Sequence, residues 1–215
     1  MSSNASRPSS RPSFWNERYE TNDYLFGTAP NTFVASQAHR IPEGSDVLEL
    51  AAGEGRTLVW LARERKATCT AVDFSQPALD EAVRWADAHD LPIETVEADV
   101  RSWSPGRQWD AVIVVFLQLL PDERLDLYRR IRRLLRPGGV VVGQWFRPDH
   151  LNGNYDRVGP STADRMVPVA ELRQAFAEDE ILHCGRADVE LAEGPVLQGR
   201  AAVARLVARR TGDDA

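Results

Sequence analysis

From residue 46 to residue 146, short apolar runs alternate with stretches whose apolar residues fall at helical spacing, and this constrains the chain more than any other feature. "DVLELA", "ATCTAVD", "PIETVEADV", "WDAVIVVF" and "VVVGQWF" each read as a strand. Between them, helices are predicted over residues 56–65, over 77–89 with Ser75 as cap, and over 123–135 with Asp122 as cap. Strand and helix in turn argue for a parallel sheet with helices on both faces. "WDAVIVVF" is apolar enough to be buried on both sides. In such a sheet, ligands sit beyond the carboxyl ends of the strands where the strand order reverses.

The flanks differ from this core. The first dozen residues, "MSSNASRPSSRP", are polar and lack an apolar leader, so a disordered tail is expected over 1–12. The remaining residues, 13–215, are enough for one domain. "FWNERYETNDYLFGTAPN" is dense in aromatic residues. It reads as a short helix and an ordered loop, with a further helix over 32–40 and the whole of 13–44 expected to be a lid. Trp15 and Tyr19 stand four apart and share a helix face, Tyr24 and Phe26 follow, and Gly27 is a candidate hinge. Beyond residue 146 come a long loop to 168, a helix near 170–177, and strands near 181–190 and 200–208.

Composition narrows the partners. A net charge of −6 argues against nucleic acid. "YRRIRRLLR" is the apparent exception, but Leu125, Tyr128, Ile131 and Leu135 recur at helical spacing and leave the arginines on a solvated face. No apolar run reaches the roughly 18 residues of a membrane helix. Cys69 and Cys184 stand far apart without zinc spacing, which suits buried thiols in a reducing cytoplasm, and no metal site is expected.

The first strand ends in "ELAAGEGR". Gly53 and Gly55 remove side chains where backbone must bend and approach a ligand, and the following helix aims free N–H groups at the same place. That suits a dinucleotide or another nucleoside ligand. Leu58, however, occupies the third small position of the dinucleotide fingerprint, and Glu49 puts a carboxylate just before the turn. An acid there suits a cationic amine better than a pyrophosphate. Asp73 ends the second strand, where it can accept ribose hydroxyls. Asp99 follows the third, where it can accept from an adenine amine beside the Val100 N–H. Asp110 starts the fourth strand, at the opposite end of the sheet, and reads as structural.

At these residues the sequence resembles the class I S-adenosylmethionine-dependent methyltransferases. "VLELAAGEG" is similar to their first motif, "AVDFS" (with Phe74) to the second, "EADV" to the third, and "LLRPGGVVV" to the turn into the fifth strand. The resemblance implies a Rossmann-like fold with a seven-stranded, mostly parallel sheet and an antiparallel last strand over 200–208. It implies S-adenosylmethionine as cofactor, with Glu49 meeting the methionyl amine, Gly53 and Gly55 lining the methionine, and Asp73 on the ribose. Asp99 and Val100 would hold the adenine, and the Phe116 carbonyl would also face the amine. Ala51 stands where the family has its first glycine, an acceptable change where φ is negative.

"FWNERYETNDYLFGTAPNTF" and "EGPVLQGRAAVARLVARR" resemble the branch that contains tellurite-resistance and thiopurine methyltransferases. Gln118 and Leu197 replace histidines common there, and Arg200 is left as a candidate cation for an anionic acceptor. The resemblance implies a small-molecule acceptor, first a thiol, selenium or tellurium compound. The alternatives are a natural-product O- or N-methyltransferase and a cofactor-binding protein without catalysis. The protein is expected to be a cytoplasmic monomer or homodimer.

Overall fold

The computed structural model describes residues 11–21 and 24–212, so nearly all of the expected tail lies outside the described residues. Seven strands form one sheet: β1 (Asp46–Leu50), β2 (Thr68–Asp73), β3 (Ile93–Glu97), β4 (Trp109–Val115), β5 (Leu135–Phe146), β6 (Glu180–Glu193) and β7 (Leu197–Arg209). Their spatial order is β3-β2-β1-β4-β5-β7-β6. The first five run parallel, and β7 runs antiparallel to both β5 and β6. The order reverses between β1 and β4, so the crevice for a ligand opens at their carboxyl ends. This is the Rossmann-like methyltransferase architecture that the motifs imply.

Among the described residues, six α-helices accompany the sheet: α1 (Pro12–Thr21), α2 (Thr32–Gln37), α3 (Arg56–Arg65), α4 (Gln76–Asp87), α5 (Pro121–Leu134) and α6 (Val169–Ala175). Alternate residues of the central strands feed two cores. Val47, Ala111 and Ile113 pack with Phe33, Leu58, Leu61 and Leu79 from α2, α3 and α4. Leu48, Val112 and Val114 pack on the other face with Leu127, Ile131 and Leu172 from α5 and α6. A third cluster, Phe146, Met166, Leu197 and Val203, lies toward the last two strands. At the far end of the sheet, Asp110 Oδ2 accepts from the Asp46 N–H at 2.8 Å, and Arg136 bridges both carboxylates. Asp110 is thus structural, as expected.

Several local expectations are revised. Helix α5 starts at Pro121, not after an Asp122 cap, because Glu123 Oε2 reaches back to the Leu120 N–H at 2.8 Å. Proline fits that first position, where no amide partner is needed. Ser75 occupies the N-cap position of α4 without a side-chain cap bond. On α5 the buried stripe is Leu127, Tyr128, Ile131 and Leu134, and Leu125 is exposed. Arg130 is not purely solvated, since it donates to the Val100 carbonyl at 2.8 Å. No helix among the described residues is long and apolar enough to cross a membrane.

Candidate functional site

The turn after β1 is built from left-handed residues. Gly53 has φ 54° and Gly55 φ 71°. A methyl group on Gly53 would lie 2.8 Å from the Tyr19 hydroxyl, inside the cavity. Gly55 packs on α4, where a methyl group would lie 2.9 Å from the Ala82 side chain, and it is not among the residues lining the cavity. Ala51 is left-handed at 56°, so the condition of a negative φ is not met. An alanine held there costs about 1 kcal/mol, an expense that glycine avoids. Ala51 lines the cavity nonetheless.

The acids expected at successive strand ends converge on that cavity, whose wall includes Glu49, Asp73, Phe74, Asp99, Val100 and Phe116. Glu49 is 4% exposed, and its Oε2 has no hydrogen-bond partner. Burial raises its pKa to about 8 against the pull of Arg56, with Asp73 adding to the rise. Asp73 accepts from the Gly53 N–H and the Ser75 N–H, both at 2.9 Å, so it ties the turn to β2. Burial still raises its pKa, outweighing those two bonds. Burial pushes the Asp99 carboxyl up as well, but the Arg101 guanidinium, at 2.6 Å, prevails and holds it below the usual range. Arg101 also reaches Glu123, another residue of the wall. Phe116 is left-handed at φ 53°, and its N–H donates to the Gln144 carbonyl.

Aromatic rings cover this cavity. Trp15 and Tyr19 stack with centroids 6.0 Å apart, and Phe26 lies 6.2 Å from Trp15. All three line the wall. The Tyr19 phenol is pushed up by burial and by the charges of Asp73 and Glu54. Tyr24 turns away and packs on Trp85 of α4 at 5.2 Å. Gly27, at φ 72°, passes close to the end of the β6 hairpin, since a methyl group there would meet the Gly194 backbone at 3.0 Å. Residues 32–44 are not cover either: Phe33, Val34, Ala38 and Ile41 are buried in the core.

Two side chains of the turn clasp the covering segment. Glu54 Oε1 accepts from the Leu25 N–H at 3.0 Å. Arg56 donates to the carbonyls of Phe26 and Ala29 and pairs with Glu193. Glu193 accepts from Asn31 Nδ2 at 2.8 Å, and Asn31 caps α2 through the Phe33 and Val34 N–H groups. The turn after β1, the aromatic segment and the end of β6 therefore form one polar network.

A second cleft of about 620 Å³ adjoins the first. Trp15, Phe26, Phe116 and Gln118 line both. Phe14, Phe146, Leu197, Arg18 and Arg165 complete much of its wall. Arg200 does not line it. Its N–H donates to Asp156, and its guanidinium lies 3.7 Å from Asp188 and 5.5 Å from the Tyr155 ring centroid. Sequence reasoning missed Glu54, Arg56 and Arg101, although each stands within two residues of a recognised position. It missed Arg165 because the loop from 147 to 168 carries no periodicity.

Comparison with known proteins places this geometry. Residues 47–139 match the family model described as a methyltransferase domain. Cypemycin N-terminal methyltransferase from Streptomyces sp is 32% identical over 167 residues, covering 72% of this chain and 65% of that protein. The chain thus spans just under two thirds of that relative's length. TehB from Haemophilus influenzae superposes with a TM-score of 0.72 at 18% identity, over 93% of this chain and 67% of its own. A DhpI–SAH complex superposes with a TM-score of 0.60 at 25% identity, over 97% of this chain and 99% of its own.

Proposed function

We propose that this chain, which carries a class I S-adenosylmethionine-dependent methyltransferase domain, transfers the methyl group of that cofactor to a small molecule held in the second cleft. The contiguity of the two cavities, which share Trp15, Phe26, Phe116 and Gln118, carries this reading. A donor in one and an acceptor in the other meet at that shared wall, and methyl transfer depends mainly on such alignment.

The residues of the first cavity suit the cofactor. Glu49 offers a buried oxygen without a partner, which an ammonium group would satisfy. Gly53, which lines the cavity without a side chain, suits the methionine. Asp73 and Phe74 stand where a ribose would lie, and Asp99 and Val100 where adenine would lie. When bound, the cofactor supplies an electrophilic methyl carbon on a cationic sulfur. The aromatic faces of Trp15, Tyr19 and Phe26 favour a neighbouring cation and exclude water from it.

Those rings also act as a lid. With α1 in place, the first cavity has about 130 Å³, well below the 300–1,000 Å³ usual for ligand sites. On this reading the helix that carries Trp15 and Tyr19 moves as the cofactor enters and settles over it, while Phe33, Val34 and Ile41 stay in the core.

The second cleft, at about 620 Å³ and rich in rings, suits an organic acceptor better than a small inorganic chalcogen oxyanion. A thiol remains compatible with it. An acceptor screen that counts S-adenosylhomocysteine released per enzyme tests the proposal. Turnover with an organic acceptor is the expected result. Release with no acceptor across a broad panel, despite cofactor binding, would favour a binding protein without catalysis.

A further inference from the structure

We propose that the second cleft is built for an apolar organic anion, with Arg165 as the anchor for its anionic end and Arg18 at the rim. This rests on reading the cleft as the acceptor site. The rings of Phe14, Trp15, Phe26, Phe116 and Phe146 supply the apolar part of the wall. The charged side chains among the described lining residues are both arginines, Arg18 and Arg165, and no carboxylate lines the cleft. The first cavity differs, with the carboxylates of Glu49, Asp73, Asp99 and Glu123 in its wall beside Arg56 and Arg101. On a chain of net charge −6, such a purely cationic lining is a local departure.

Arg165 is 5% exposed and fixed in place. Its guanidinium donates to the Gln118 carbonyl at 2.9 Å, and its backbone N–H to the Thr162 carbonyl at 3.3 Å. Gln118 borders both cavities, so Arg165 sits near their junction. A planar guanidinium presents several donors in a fork that matches a carboxylate. Arg18 is exposed, and its guanidinium lies 3.7 Å from the Phe14 ring centroid. A protonated amine entering this cleft meets two like charges in its lining. A neutral amine finds no lining side chain that titrates near neutrality to take its proton. A group that ionises unaided near neutral pH, such as a carboxylate or an acidic thiol, needs neither.

The test compares naphthalene-2-carboxylate with naphthalene-2-carboxamide, which share shape and differ in charge. Binding of each to the full chain saturated with S-adenosylhomocysteine is measured by calorimetry. The carboxylate should bind about tenfold more tightly or better, as expected for a charge-assisted pair. Arg165→Met should bring the two to within about twofold, and Arg165→Lys should keep part of the preference, as expected where charge and fork both contribute. Arg18→Met, at an exposed position, should reduce the preference less. If Arg165→Met does not fold, the wild-type comparison and Arg18→Met decide. Equal affinities in the wild type, no binding of either probe, or a preference untouched by Arg165→Met would overturn the proposal. Failure of the wild type to bind S-adenosylhomocysteine would instead overturn the reading of the first cavity; the probe pair, used alone, would still test the cleft.

Discussion

Replacing Glu49 by glutamine tests the charge logic of the cofactor cavity. In the folded chain, burial raises the Glu49 pKa from 4.5 to about 8, against the pull of Arg56 and with a further push from Asp73. The sign is opposite to that of a salt-bridged acid. Between those two values the unfolded chain has lost the proton and the folded chain has kept it, so stability falls as pH rises. From pH 6 to pH 9 a shift of this size removes about 2–3 kcal/mol. Glutamine keeps the shape of the protonated acid and does not titrate. Urea unfolding at pH 6 and pH 9 should therefore show the wild type losing about 2–3 kcal/mol more than Glu49→Gln. A cationic amine beside Glu49 reverses the shift, so cofactor binding at pH 7 should drive off about one proton from the wild type relative to Glu49→Gln. Calorimetry in phosphate and in Tris reads that difference. Identical pH dependence of unfolding in the two proteins would refute the burial argument, and identical proton release would refute the placement of the amine.

Gly53→Val should abolish cofactor binding in calorimetry, because φ is 54° and the new side chain meets the Tyr19 hydroxyl; retained affinity would remove the turn from the site. Asp73→Ala should weaken cofactor binding by about 1.5–3 kcal/mol, the usual loss for a bond to a charged group. It should also lower the melting temperature, since Asp73 holds the Gly53 and Ser75 N–H groups. An unchanged affinity in the folded variant would contradict its role. Glu54→Ala frees the Leu25 N–H from the turn and should hasten proteolysis within residues 13–27 while leaving the core resistant. Cleavage there at the wild-type rate would show that this clasp does not hold the lid.

The fold was legible because the strands carry their own signal. "WDAVIVVF" feeds both cores, so its continuous apolar run could only be a central strand. The acids were legible for a related reason: Glu49 is one residue from the end of β1, Asp73 ends β2 and Asp99 follows β3, and the crossover topology brings those ends together. Local errors arose where a side chain had more than one use. Glu123 took the capping role given to Asp122. Tyr24 shares the aromatic character of Trp15, Tyr19 and Phe26 but packs on Trp85 and does not line the cavity. Arg165 and Arg200 show the limit most clearly. Both are arginines outside the periodic core, and only the three-dimensional path of the loop from 147 to 168 puts one in the cleft and the other beside Asp188.

The central claim is that the acid-lined cavity at the end of β1 holds the nucleoside sulfonium donor and that the adjoining cleft holds the acceptor. Cocrystallisation with S-adenosylhomocysteine tests it most directly. The account predicts the amino group at Glu49, the ribose at Asp73, the adenine beside Asp99 and Val100, and the sulfur facing the wall shared by Trp15, Phe116 and Gln118. Density for the nucleoside elsewhere, or a sulfur turned away from the second cleft, would contradict it.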